Sequence, residues 1–306
     1  MLPILLAIAP VFLLIFLGYA IRAGRLLADG FWEPVERLIY FVLFPALLIA
    51  TLASAELSNL DIAPMAGALV AAIAVLVAVL LLLRPLLHLP GPTFTSVFQG
   101  VVRQNTYIGL AVAAAVFGHQ GLAAAAVAVA VIVPLVNLLS VTVLERYGAG
   151  GNPSWLGAVR QVARNPLIIA CAIGIVLNVT GIGLPPIIGP FLEILGSAAL
   201  PLGLMAVGAG LDLAAARAAG PPVAIAVGLR LIALPAITAL TCQALDVGPV
   251  TTFVAVLFNG TPASPSSYIL ARLLGGDARL MAGIVTVQTA LSMVTLPLVL
   301  TFGLLQ

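Results

Sequence analysis

The chain has 306 residues, 63% of them hydrophobic and only 7% charged, with a mean hydropathy of +1.26. Soluble domains carry about 25% charged residues, so this composition describes a polytopic membrane protein and excludes an ordinary soluble fold. All twelve basic side chains are arginine and the net charge is +2; that excludes lysine Schiff-base chemistry, and no basic cluster exists to grip nucleic acid.

The N-terminal run (MLPILLAIAP) has no positively charged lead and is too long in its apolar part for a signal peptide, so it predicts the first span. Apolar windows of about 20 residues place ten spans near 3–22, 32–54, 62–84, 94–117, 121–144, 165–182, 187–211, 221–243, 249–273 and 278–303. The longest polar stretch, Glu145–Arg164, carries Gly148, Gly150, Gly151, Asn152 and Pro153 and divides the chain nearly in half. At a constant offset of 156 residues Pro10 matches Pro166, Gly18 matches Gly174, Pro34 matches Pro190, Pro45 matches Pro201, and Glu56-Leu57 matches Asp212-Leu213. With a slightly drifted offset Phe98-Gln99-Gly100 matches Phe258-Asn259-Gly260 and Tyr107-Ile108 matches Tyr268-Ile269. Residues 1–145 and 164–306 are therefore expected to be two five-span repeats of a single domain, 1–306. An odd number of spans forces the halves into opposite orientations, the inverted-repeat plan of secondary transporters.

Arg22, Arg25, Arg84, Arg146, Arg160, Arg164, Arg217, Arg272 and Arg279 all fall in connections on one side. The positive-inside rule makes that side cytoplasmic and puts both termini outside, in a cytoplasmic (inner) membrane.

Two spans are interrupted. In span 9, Gly260, Pro262 and Pro265 stop a helix, because proline lacks the amide donor and clashes with the preceding turn. Ser264 as N-cap and Pro265 at the first helical position predict a restart through Ser266. In span 4, Gly100, Arg103, Gln104, Asn105 and Thr106 interrupt an apolar helix, with Asn105 as the candidate N-cap of a second half. Non-helical backbone at membrane depth persists only when buried in protein or lining a polar cavity. Two half-helix N-termini meeting at mid-depth offer amide donors and roughly half a positive charge each, a site suited to a small anion. The candidate binding residues are Gly100, Arg103, Gln104, Asn105, Thr106 and Tyr107 with Asn259, Gly260, Thr261, Pro262, Ser264, Pro265 and Ser266. The competing account is that Gly and Pro are simply common in membrane helices and Asn105 bonds a neighbouring helix.

Arg103 and Arg230 are the charged groups placed well inside the membrane, and neither has an acidic partner evident in sequence, which leaves room for an anionic ligand. Snorkelling is the alternative for Arg103. Arg230, Asn137 and Gln288 are candidate pathway residues. The acids fall near span ends, none at mid-depth as a proton relay requires. Sodium, the one candidate coupling ion, could be held by carbonyls and hydroxyls near Thr261, Ser264 and Thr289; no other cofactor and no metal site is expected. Cys171 and Cys242 read as small buried hydrophobes. His88 and His119 sit at loops, and no HExxH, GxSxG or phosphate-cradling loop occurs, so the chain is not expected to be an enzyme.

Three stretches together resemble the auxin efflux carrier family, and more distantly the bile acid–sodium symporters. They are Phe44-Pro45-Ala46-Leu47, the run RQNTYIGLAVA from Arg103, and the Pro262-to-Asp277 run with its PASP, YILA and GGD elements. The resemblance spans essentially the full length. It implies an all-α membrane protein of ten helices in two inverted five-helix repeats, with helices 4 and 9 broken where they cross. It further implies a panel of spans 1, 2, 6 and 7 beside an elevator-like mobile core of spans 3–5 and 8–10, often in a homodimer. Carried over, the binding position falls on Asn105 and its neighbours and on Gly260–Pro265, with a small organic anion as substrate. The alternatives are a sodium-coupled symporter of a larger amphipathic anion and, from a different class, a channel or sensor.

Overall fold

Hydrocarbon offers no hydrogen bonds, so an apolar chain must satisfy its backbone within helices. The computed structural model describes residues 2–28, 30–57, 60–149, 164–218 and 220–303, and their regular structure is helical. The readings made on Arg160 and on residues 150–153 lie outside the described residues.

The helices are α1 (Leu2–Ala23), α2 (Trp32–Ala53), α3 (Ile62–Leu87), α4 (Gly91–Val102), α5 (Thr106–Tyr147), α6 (Pro166–Val179), α7 (Ile188–Ala209), α8 (Leu213–Arg217), α9 (Pro221–Ala244), α10 (Pro249–Gly260), α11 (Ser266–Leu273) and α12 (Ala278–Gly303). Among the described residues seven of these (α1, α2, α3, α5, α7, α9 and α12) are long and apolar enough to cross a membrane, while α6 and α10 are shorter apolar helices. The chain is a multi-pass membrane protein.

The 42 residues of α5 would span about 63 Å if straight, roughly twice the hydrocarbon thickness. They are not straight. Gly118 adopts φ 56°, ψ −135°, a conformation that a side chain resists, and the helix folds back so that Gly121 lies on the carbonyl of Ala113. Tyr147, at the end of the returning limb, reaches Gly91 at the start of α4. The sequence placed a loop near this point; the finding is a helix-to-helix reversal with almost no connecting residues.

Pro45 and Pro235 lie inside α2 and α9. Each follows a π-helical turn, Ile39–Leu43 and Leu229–Ala233, in which the amide of Phe44 bonds Ile39 O and that of Leu234 bonds Leu229 O. The one-residue widening makes room for a ring that would otherwise strike a carbonyl one turn back.

Small residues set the packing of the first layer. α1 crosses α7 where a Cβ on Gly18 would land on Met205 backbone and one on Gly208 on Ile15 backbone. α2 packs on α6 at Gly174, whose added Cβ would sit 3.3 Å from Ile49 Cα, and on α7 at Gly196. Gly18–Met205 and Gly174–Ile49 are the same pair of positions shifted by 156 residues. So are two polar contacts at the helix ends: Arg22 donates to Ala209 O, and Asn178 Nδ2 to Ala53 O at 3.3 Å. The other layer wraps α3, α5, α9 and α12 around α4, α10 and α11.

Candidate functional site

α4 ends at Arg103, whose backbone is extended, and α10 ends at Thr261 in the same way. Here the two chains cross as a single antiparallel bridge between Gln104 and Ala263. Asn105 N–H donates to Pro262 O at 2.8 Å and Ser264 N–H to Arg103 O at 3.1 Å. The broken segments approach from opposite ends of the molecule. α4 starts beside Tyr147 and Asp277, with Asp277 N–H on Pro92 O at 3.2 Å, whereas α10 starts where Gly248 N–H meets the Asp61 carboxylate at 3.0 Å.

Breaking two helices leaves two sets of C-terminal carbonyls that need donors. Arg230, fully buried in the π turn of α9, donates to carbonyls of both ends. Its Nη1 donates to Val101 O at 3.0 Å, its Nη2 to Phe258 O at 3.0 Å, and its Nε to Thr261 O at 2.6 Å. Gln288 of α12, equally buried, donates to Gly100 O (3.0 Å) and Ala226 O (2.9 Å) and accepts from Ala263 N–H at 2.8 Å. Both residues thus frame the crossover. The sequence named Arg230 as a candidate pathway residue with room for an anionic ligand; in the structure its guanidinium bonds the carbonyl ends of α4 and α10, where the helix dipoles are negative.

On the N-terminal side, Asn105 Oδ1 accepts from Tyr107 N–H (3.1 Å) and Ile108 N–H (3.2 Å), the cap expected from sequence. Ser264 departs from expectation. Its hydroxyl pairs with Ser266 Oγ at 2.9 Å rather than capping, and it is the Ser264 carbonyl that accepts Ser267 N–H at 3.0 Å. The Pro265 ring brings the chain in along the helix axis already, so the backbone closes the first turn without the hydroxyl.

One face of the crossover is partly open. Arg103, Thr106, Tyr107, Ser264 and Pro265 are half-buried and Ser266 is exposed, while Gln104, Asn105, Thr261, Pro262 and Ala263 are buried behind them. Arg103 donates to Asn137 Oδ1 at 2.6 Å and to Ser266 Oγ at 3.0 Å, both neutral oxygens. Its Nε, both polar atoms of Gln104 and Nδ2 of Asn105 are buried without a hydrogen-bond partner. Buried polar groups are rarely left so, and these cluster beside the open face. Gly109 lets Phe258 pack flush against the restarted helix.

Three candidates point elsewhere. Asn259 Nδ2 bonds Thr238 Oγ1 of α9 at 2.8 Å, Gly260 packs on Pro235 and Leu296, and Gly100 sits under Ile284. Thr289 is buried on α12 with its hydroxyl unpartnered. Sequence reasoning missed Tyr40, in the π turn of α2 and within electrostatic reach of Arg103, and the aromatic seat of Tyr107. That ring lies edge-on to Phe44 at 4.8 Å and against Gly203. The polar hydroxyl of Tyr40 in the otherwise apolar LIYFVLFP run was the available signal. Among the described residues no group of His, Cys, Asp or Glu could hold a metal ion.

A profile of the family described as membrane transport protein matches residues 156–300. An uncharacterized transporter of Methanothermobacter thermautotrophicus is 25% identical over 295 residues, covering 94% of this chain and 94% of that protein.

Proposed function

We propose that this chain is a membrane transporter of the auxin efflux carrier family, that it carries a small organic anion rather than acting as an enzyme, and that the anion binds on the half-buried face of the helix crossover; the membrane-transport profile and the transporter relative support the first part. The observation behind this reading is Arg103. Among the described residues this guanidinium hydrogen-bonds to two neutral oxygens and to no carboxylate, and a charge so held at membrane depth is costly unless a ligand or pathway uses it. Thr106, Tyr107, Ser264 and Ser266 stand beside it to orient a carboxylate, and the restarted helices add their positive ends.

The carrier is read as ten crossings, with α4 joined to the first limb of α5 and α10 joined to α11 as the broken pair. Contacts that recur at an offset of 156 residues, at Gly18 and Gly174 and at Arg22 and Asn178, support an inverted repeat. The glycine-packed layer of α1, α2, α6 and α7 serves as the fixed panel, and the crossover layer moves against it. Arg84, stacked 3.9 Å from the Tyr147 ring centroid, lies with Arg146, Arg272 and Arg279 at one end, which supports a cytoplasmic placement of that end and external termini.

The test is Arg103→Gln in purified protein, titrated with a panel of small carboxylates by thermal shift. Losing a charge-assisted bond of about 1.5–3 kcal/mol predicts roughly 10- to 100-fold weaker binding with the elution profile in detergent unchanged. An unaltered affinity removes Arg103 from the site.

A further inference from the structure

At the crossover the protein buries a cation of its own, the guanidinium of Arg230. The carbonyls of Val101, Phe258 and Thr261 and the hydroxyl of Thr261 surround the buried Arg230 guanidinium, drawn from the C-terminal ends of two helices that run in opposite directions. Each such end carries about half a negative charge, so together they call for one positive charge. Uncharged, oxygen-only and shielded from water, this is the kind of donor set that takes an alkali cation in broken-helix transporters. Here the Arg230 guanidinium occupies it, at 0% exposure and hydrogen-bonded to neutral oxygens.

We infer that Arg230 is a resident cation that replaces a diffusible coupling ion at the crossover, so that Thr261 and the ends of α4 and α10 are not a sodium site in this protein. The guanidinium is tethered to α9, so the site stays loaded through the transport cycle and the crossover keeps its shape whether or not substrate is bound. An ion that must enter and leave would instead tie the shape of the crossover to the ion gradient. Arg230 acts on transport through the two half-helices that it joins and is a positioning residue.

The experiment uses the purified full-length chain in detergent and reads thermal stability, which needs no substrate, so its outcome is separate from that of the anion reading. Arg230→Ala opens the site. In choline chloride this variant should melt about 10 °C or more below the parent, as breaking a buried charge network does. Methylguanidinium or sodium at tens of millimolar should recover at least half of the loss along a saturating curve, while the parent shows no comparable shift. A folded Arg230→Ala protein that no cation recovers, or a parent that gains as much from sodium as the variant, overturns the inference. Should Arg230→Ala yield no folded protein, Arg230→Lys and Arg230→Met decide. A folded Lys variant with a lost Met variant supports a required charge; both kept or both lost overturns it.

Discussion

The residues at the crossing divide into those that build it and those that remain free to bind. Asn105 does the first job visibly, and its loss can be predicted. Asn105→Ala removes the acceptor for the Tyr107 and Ile108 amides, which should cost about 1 kcal/mol and lower the melting temperature by roughly 2–4 °C. Asn105→Asp keeps an acceptor at the helix start and should melt near the parent, yet a carboxylate placed beside Arg103 should weaken anion affinity at least several-fold. Measuring both variants separates the cap from the site; equal affinity in the Asn105→Asp variant and the parent would place the anion elsewhere. Gln288→Leu should be more damaging, because it strands Gly100 O and Ala263 N–H together, each worth about 1–3 kcal/mol when buried unpaired. At this scale the sequence showed Asn105, since an Asn before a restarting helix has a local chemical meaning. It hid the task of Arg230, because backbone carbonyls have no residue identity and their convergence depends on two segments about 160 positions apart.

At the scale of elements, the long apolar helices were legible because hydropathy and proline position report directly on helices in lipid. The interruptions in spans 4 and 9 were legible for the same reason. The two π turns were not: Ile39–Leu43 and Leu229–Ala233 each carry one polar side chain, Tyr40 and Arg230, in an apolar run, and only the prolines that follow hint at a local widening. The reversal inside α5 was read as a short loop, since a glycine-marked boundary in FGHQG looks the same whether the chain uncoils or merely pivots. The pivot makes a test. A side chain at Gly118 must adopt φ 56°, ψ −135°, so Gly118→Ala should destabilise by about 1–3 kcal/mol, although nothing lies within 4 Å of the added carbon. Gly30→Ala, with equally open surroundings but no positive φ, is the control and should be neutral. If the two variants melt alike, backbone conformation is not what holds the two limbs together.

The whole molecule separates into a layer held by backbone-close glycine contacts and a layer gathered around the crossing, and the surface between them decides how a substrate could move. Crossing that surface are the seat of Tyr107 on Phe44 and Gly203, and the contact of Cys171 Sγ in α6 with Ala126 O in α5 at 3.7 Å. If the crossing travels as a rigid body past the panel, tying α6 to α5 should stop transport and spare binding, because the residues of the proposed anion site (Arg103, Thr106, Tyr107, Ser264 and Ser266) all belong to the crossover layer. Ala126→Cys pairs a new thiol with the native Cys171, and Cys242→Ala removes the other native thiol. Bridging the pair with mercuric ion should abolish flux in proteoliposomes and leave carboxylate affinity within about twofold, with flux restored by excess thiol. The background carrying only Cys171 should be insensitive to the same treatment. A gated channel predicts a different result, since a pore that opens by local rearrangement needs no slippage between α5 and α6. Undiminished flux through a fully bridged protein would therefore rule out travel of the crossing past the panel and favour a fixed site with local gates.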